Sequence, residues 1–357
     1  MRIPGKGGVR SRAGVVLSVL AVCLLATLAG WGAPADGWPQ VVEAARRENQ
    51  LVLYDGHGGA IPTIQFAAER FQRRYGIRVE VSVMRASEAV ERVRIEQRAG
   101  RPVADLVTVG STTAWQMKNL DRTLQPLGSL PSGRKVSAQI RLQMEAWGIG
   151  DVMLTEAVQL YGILINTQLV PPQEEPRSWM DLLDPRWRGK LITDDPRAPG
   201  GGFVFFSATY KQLGRRYHEA LSAQRPFLTR AIAEAANRVA RGEFAIMYPF
   251  ALGLFPRVRD LPNVKVVIPR EGAPYVFQGV SMPQTVRHPN AARLFAEFLL
   301  SEEVQRQLAR DYLLPAVAGT LLQAPPEVRN LLRARLWDTT DPPRADEQLK
   351  VAAEIYR

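Results

Sequence analysis

From Trp38 onward, apolar residues recur first at helical spacing and then in short buried runs, and the alternation repeats. Trp38 to Asn49 reads as a helix and Leu51 to Tyr54 as a buried strand. Ile61, Ile64, Ala68 and Phe71 return to helical spacing before Gly76 closes the helix. Ile77, Val79, Val81 and Val83 alternate with polar residues, the mark of a half-buried strand. Ser87, with Glu88 in the first turn, is placed as the next helix N-cap. Leu106 to Val109 forms another strand that ends at Gly110, and Ser111 opens the following helix. Strand and helix in turn predict an α/β fold, a mainly parallel sheet with helices on both faces.

Farther along, Ser178 and Asp181 fit a capping box at the start of a short helix that Pro185 stops. Leu191 and Ile192 form a brief strand, and Asp194, Asp195 and Pro196 turn the chain out of it. Gly200 to Gly202 then precede an amphipathic helix, Phe203 to Leu221, with Phe206, Tyr210, Leu213 and Tyr217 on one face. A long helix is expected from Arg225 to Arg241, ended by Gly242, then strands at Phe244 to Tyr248, Val264 to Ile268 and Val276 to Ser281. Pro289 to Leu300 and Glu302 to Arg310 close the regular pattern as helices, and the chain beyond Asp311 is rich in proline and charge.

The amino terminus carries a different signal. Arg2, Lys6, Arg10 and Arg12 precede an almost wholly apolar stretch, Ala13 to Ala29, and Ala33-Pro34-Ala35 offers a cleavage site. Residues 1–35 therefore read as a secretory signal peptide, with an uncleaved membrane anchor as the alternative. The sole cysteine, Cys23, lies inside that segment, where Val22 and further apolar residues argue against lipidation. After cleavage at Ala35 the mature chain would hold no cysteine, hence no disulfide and no thiolate metal site. So long a remainder outgrows a single core, and two lobes are expected. Residues 36–150 form the first lobe, to which 269–310 return; residues 151–268 form the second; residues 311–357 wrap both.

The formal charge is +11, of which the four basic residues of the signal leave +7 for residues 36–357. That excess is dispersed, and no nucleic-acid-binding module is present, so nucleic acid is excluded as a partner. A positive field instead draws small anions. Enzyme signatures are lacking: His57, His218 and His288 form no HExxH pattern, and Gly279-Val280-Ser281-Met282 lacks the last glycine of a nucleophile elbow. No catalytic residue, resident metal or cofactor is expected.

In open α/β sheets, ligands sit beyond the carboxyl ends of the strands. That rule nominates Asp55 and His57 after the first strand, Arg85 and Ser87 after the second, and Ser111 and Thr112 after the third. Arg85 could pair bidentately with a carboxylate or phosphonate. Gly201 and Gly202 leave the first N–H groups of a helix open as an anion seat. Tyr248, in FAIMYPFALG, is either a cleft hydroxyl or a core tyrosine.

Five stretches in order, LVLYDGH at 51–57, ADLVTVG at 104–110, YGILINTQLV at 161–170, the run from Ser178 to Gly202, and Val286 to Leu308, resemble the periplasmic solute-binding proteins of ABC importers, in the group that includes the ferric-ion binders. The resemblance extends over roughly Trp38 to Ala309. It implies a type II two-lobed periplasmic-binding-protein fold with a hinge of two crossings, a periplasmic location, a monomer, a small-molecule solute and an ABC permease as partner. Phosphonate, polyamine, thiamine-like and iron-chelate cargoes occur among such relatives, and the charge favours an anion or an iron chelate here. The resemblance also places a histidine at His57 in the cleft. Ferric binders hold the ion with adjacent tyrosines and usually an acid after the third strand; this chain has no Tyr-Tyr pair, and Gly110 stands where the acid would be. A sensory module for a membrane receptor, or an enzyme on the same scaffold, are the alternative functions.

Overall fold

The computed structural model describes residues 37–57 and 62–357. The signal segment expected at 1–35, with Cys23 and Ala35, lies outside the described residues, as do Gly58 and Gly59.

In chain order the elements are α1 (Trp38–Glu48), β1 (Gln50–Asp55), α2 (Pro62–Tyr75), β2 (Arg78–Val83), α3 (Ala86–Arg98), β3 (Leu106–Gly110), α4 (Ser111–Asn119), β4 (Leu124–Gln125), α5 (Ala138–Ala146) and β5 (Met153–Asn166). There follow β6 (Leu191–Asp194), α6 (Gly201–Ala223), β7 (Phe227–Thr229), α7 (Ile232–Ala240), β8 (Ile246–Ala251), α8 (Phe255–Val258), β9 (Val264–Val267) and β10 (Tyr275–Pro283). The last are α9 (Pro289–Leu299), α10 (Glu302–Arg310), β11 (Leu314–Pro315), α11 (Pro326–Leu332) and α12 (Ala345–Ile355).

The strands run in the order β2-β1-β3-β10-β5-β8-β6-β7, with β4, β9 and β11 pairing at the sides. Each end of this curled sheet is parallel: β2, β1 and β3 on one side, β8, β6 and β7 on the other. The middle is antiparallel, because β10 opposes both β3 and β5, and β5 opposes both β8 and β9. The expectation of mainly parallel lobes therefore holds at the flanks and gives way at the centre, where the chain passes between lobes. β5 makes the first passage in one continuous strand whose residues are all buried. Its first half pairs with β10 as far as Leu160, and its second half pairs with β8 from Tyr161. The chain returns between β9 and β10, on the pattern of a type II periplasmic binding protein.

This topology fixes where a ligand can sit. β5 runs parallel to β1 and β3, so its midpoint lies at their carboxyl ends, while β6 and β8 run against it and bring their own carboxyl ends to the same level. Ala251 at the end of β8 pairs with Tyr161 just past that midpoint. The carboxyl ends of both lobes thus face one crevice, as the strand-end rule requires.

Two large apolar clusters lie around it. The larger gathers Leu51, Leu53, Phe71, Leu106, Phe295 and many others of the first lobe and runs through the hinge to Ile192, Val239, Met247 and Val258 of the second; the smaller joins Ile163, Trp179, Trp187, Phe205, Tyr217 and Tyr248. Each fully buried side chain of this size contributes about 1.5–3 kcal/mol. Phe206 and Phe203 of α6 pack with Ala345, Ala352 and Tyr356 of α12, so the carboxyl-terminal helix packs on the second lobe, whereas Val328 and Leu332 of α11 join the larger cluster. The segment between them touches both sides: Asp338 pairs with Lys211 of α6, and Thr340 meets Thr112 of α4.

Several local expectations meet their geometry. The Ser178 capping box forms, with Ser178 Oγ accepting from Met180 N at 3.1 Å and Asp181 Oδ2 accepting from Ser178 N at 2.9 Å, but the turn it opens is a 3-10 helix. The N-cap of α3 is Arg85 and not Ser87, which lies inside the first turn. The long helix expected from Arg225 divides into β7 and α7, because Phe227 to Thr229 pair with Ile192 to Asp194 and extend the sheet.

Candidate functional site

The first-lobe wall starts at Asp55, the last residue of β1. Its buried carboxylate accepts from Thr108 Oγ1 at 2.7 Å and from His57 N at 3.0 Å. Gly56 makes the turn possible: a Cβ there would meet the Thr108 carbonyl oxygen at 2.4 Å. The turn delivers the His57 ring into the interior, with Nδ1 3.2 Å from Asp55 Oδ1, within ion-pair range but off the hydrogen-bond line. Nε2 is buried with no protein partner.

Opposite this ring stands Glu156, which the sequence reading missed. Between Gln278 and Gly279 the register of β10 against β5 shifts: Gln278 pairs with Ala157 and Gly279 with Thr155, leaving Glu156 as the extra residue of a β-bulge. Bulges re-aim side chains and are frequent beside functional sites. The Glu156 carbonyl is held by Gln305 Nε2 and Ala316 N, both at 3.0 Å, so the bulge is braced from behind. Both carboxylate oxygens are buried and meet no protein donor. The Gln278 Oε1 and Ser111 Oγ atoms are buried and make no well-aligned hydrogen bond, although Gln278 lies near enough to the His57 ring to favour its proton.

Electrostatics tie the group together. Burial works against the charge of Asp55, but the His57 ring and the Thr108 hydroxyl outweigh it and hold the carboxyl below its ordinary range. Burial likewise opposes the His57 cation, and Asp55, then Glu156 and the Gln278 amide, overcome it, so the ring holds its proton more tightly than a free imidazole. Glu156 is pushed up to about 7, mainly by burial, with His57 pulling the other way. Buried polar atoms are normally paired. Here several unpaired ones lie around a single turn and bulge at the crevice.

The second-lobe wall differs. Asp194 ends β6, and its Oδ2 accepts the Gly202 N–H at 2.8 Å. Gly202 sits so close that a Cβ would lie 2.1 Å from the Asp194 carbonyl oxygen. The anion seat expected at Gly201 and Gly202 is therefore filled by the chain's own carboxylate, because the turn at 194–200 folds back onto the helix start. Burial lifts Asp194 to about 6, opposed by the Gly202 hydrogen bond. Beside it, Tyr161 packs with Val204, Val276 and Ala251 at the passage between lobes.

The remaining nominated residues separate. Ser111 is fully buried at the start of α4, in the first-lobe wall. Thr112 is buried too, but its hydroxyl lies 2.5 Å from that of Thr340, so the carboxyl-terminal segment takes the contact expected of a ligand. Arg85 and Ser87 are exposed, although the Arg85 backbone bridges that of His57. Tyr248 lies in the middle of β8, packed on Phe205 at 5.4 Å inside the smaller cluster; burial raises its phenol, and its hydroxyl makes no hydrogen bond within the protein. Among the described residues no three His, Cys, Asp or Glu side chains converge as a metal-ligand set. A cavity of about 810 Å³ lined by Trp38, Leu127, Met144 and Met153 draws on the first lobe and on the start of β5 as far as Thr155, the neighbour of Glu156.

Residues 151–336 match the family model described as bacterial extracellular solute-binding protein. The chain belongs to that family. Among curated relatives, this solute-binding protein is 24% identical over 279 residues to an uncharacterized protein of Haemophilus influenzae, covering 73% of this chain and 76% of that one. It is 26% identical over 279 residues to Iron uptake protein A1 of Synechocystis, covering 71% and 72%. Its fold is shared with iron-bound HitA from Pseudomonas aeruginosa, at TM-score 0.68 and 21% identity over 86% of this chain and 99% of that one. It is shared also with the periplasmic binding protein AfuA from Actinobacillus pleuropneumoniae with exogenous fructose-6-phosphate bound, at TM-score 0.72 and 20% identity over 85% and 97%. The family is one of binding proteins, and this chain's fold is theirs. No described helix is long and apolar enough to cross a membrane.

Proposed function

We propose that this protein is the periplasmic substrate-binding component of an ABC importer, which traps a small solute between its lobes and passes it to the permease. The observation that carries the reading is the set of unpartnered buried polar atoms on Glu156, His57, Gln278 and Ser111, gathered where the carboxyl ends of both lobes meet. A solute touching both walls binds only the closed form and so shifts the hinge equilibrium toward it. The signal-like segment at 1–35 supports export, and the protein is expected to work as a monomer.

Two features bear on the cargo. The anion expected from net charge loses its seat to Asp194, and the inner crevice carries three buried acids, Asp55, Glu156 and Asp194. Iron in the names of two relatives keeps ferric chelates among the solutes to test; the chain lacks the paired tyrosines for gripping a bare ferric ion, which prefers oxygen ligands. Native mass spectrometry of gently purified protein should reveal a bound mass. Adding that solute back to stripped protein should reduce the radius of gyration in small-angle scattering. A bound solute that produces no compaction refutes capture by closure.

A further inference from the structure

The unpartnered atoms of the first-lobe wall do not all ask for the same thing. Glu156 presents two oxygens, and Gln278 Oε1 a third, all of which can only accept while Glu156 is ionised. His57 Nε2 either donates or accepts according to the protons on the ring, and Ser111 Oγ does both. An ammonium group supplies donors alone and meets the imidazole as a like charge when that ring is protonated. A carboxylate or phosphonate supplies acceptors alone: it can accept from a protonated His57 and from Ser111, but Glu156 and Asp55 repel it and their oxygens stay unmet. A hydroxyl group donates and accepts at once: it can donate to Glu156 or Gln278 and accept from His57 or Ser111. A pair of neighbouring hydroxyls would satisfy most of the set.

We infer that the Glu156 bulge, with His57, Gln278 and Ser111, forms a subsite for a hydroxyl-bearing, polyol-like part of the solute, with Glu156 as its principal acceptor. The inference rests on the solute-binding reading above and narrows it. The bulge supplies the second, independent reason to regard Glu156 as placed for a ligand, since in regular register with β10 no extra residue would stand at this point of β5. A charged tail on the same solute, such as a phosphate, would have to lie elsewhere in the crevice, outside reach of these acids.

Thermal-shift and calorimetric titrations of stripped protein test this with three arms. Glycerol, D-glucitol, D-fructose and fructose 6-phosphate form the hydroxylated arm; putrescine the amine arm; methylphosphonate, acetate and inorganic phosphate the anionic arm. We expect stabilisation from at least one hydroxylated probe, with affinity falling about tenfold to a hundredfold in Glu156→Ala, as loss of a hydrogen bond to a charged acceptor implies. Glu156→Gln, which keeps one acceptor, should fall between, and circular dichroism of both variants excludes misfolding as the cause. If no hydroxylated probe binds, or if one binds Glu156→Ala as tightly as the wild type, the subsite is refuted. Binding confined to the amine or anionic arm refutes it too, yet leaves capture by closure standing, because compaction on adding the co-purified solute is read separately.

Discussion

At the carboxyl end of β1 the chain leaves Glu156, His57 and Gln278 with buried polar atoms that form no hydrogen bond within the protein, whereas at the carboxyl end of β6 the Asp194 carboxylate is met by its own helix. Both walls use the same parts: a strand end, an acid, a glycine pressed against a backbone carbonyl, and a helix start. One wall is complete in the absence of a solute and the other is not. Orphaned buried groups cost free energy until a partner arrives, so the first lobe carries the drive for binding and the second supplies a firm surface to close upon. Their histidines carry the same contrast. His57 sits among acids and gains basicity; His218, behind the second wall, lies between the Thr209 and Tyr356 hydroxyls, at 2.9 Å from each, within a ring of Phe205, Phe206 and Tyr217.

The largest expected effect comes from that second histidine. Burial lowers the His218 pKa from 6.5 to about 3. A base depressed in the folded state stabilises above its unfolded pKa and loses that contribution as pH falls toward the folded value. At about 1.4 kcal/mol per pH unit, acidification from pH 6.5 to 3 should remove about 5 kcal/mol through this residue. Urea melts of wild type and His218→Gln at pH 7, 5 and 4 should converge as pH drops. A constant difference between them would mean that the second lobe does not hold a neutral buried histidine.

Glu156 gives the opposite pH dependence in the other lobe. Its carboxyl is raised from 4.5 to about 7, so the unliganded protein gives up stability as pH rises through that window, in total about 3 kcal/mol. Glu156→Gln should match the wild type near pH 4 and exceed it by up to that amount at pH 8, while binding solute more weakly. A variant less stable than wild type at pH 8 would show that the carboxylate already has a partner, and the contrast between an unfinished and a finished wall would fall.

The two glycines sharpen the contrast by geometry alone. In Gly202→Ala the new Cβ would meet only backbone, 2.1 Å from the Asp194 carbonyl oxygen; in Gly56→Ala it would lie 2.4 Å from that of Thr108. Overpacking of this kind costs about 1–3 kcal/mol, with Gly202→Ala toward the upper end. The readouts should differ: Gly56→Ala displaces the turn that places His57 and should weaken solute binding beyond its effect on stability, whereas Gly202→Ala should chiefly lower Tm. Equal losses of affinity in both would indicate that the walls contribute alike.

Much of this arrangement was legible in the chain. β1, β2 and β3 follow from apolar runs bounded by turn residues, and the strand-end rule then nominates Asp55, His57 and Ser111, which lie at the ends of β1 and β3. The harder cases depend on partners distant in sequence. Glu156 is one acid within MLTEAVQLYGILIN, a run buried on both faces; a charge inside such a run is a signal, but its aim depends on a bulge that exists only when β10 pairs alongside. Asp194 looked like an ordinary turn residue, since nothing local announces that its carboxylate returns to Gly202. Tyr248 and Thr112 have neighbours that nothing local announces, Phe205 from α6 and Thr340 from near the far end of the chain.

That last contact offers the smallest and most discriminating test. Between α11 and α12 the chain touches both sides. Leu336 bridges Ala273, Asp338 pairs with Lys211 at 2.7 Å and accepts from Gln212 at 2.8 Å, and the Thr340 hydroxyl meets that of Thr112. Lys211 and Gln212 belong to the second lobe and Thr112 to the first, so this segment ties the finished wall to the unfinished one. Thr340→Val keeps the shape, removes one hydrogen bond and leaves the buried Thr112 hydroxyl unmet, at a cost of about 1 kcal/mol. If the segment restrains the hinge, the variant should also show a larger radius of gyration without solute and an unchanged one with it. A drop in Tm with identical scattering in both states would make the tie a matter of stability alone, and opening would then be governed only by β5 and the return between β9 and β10.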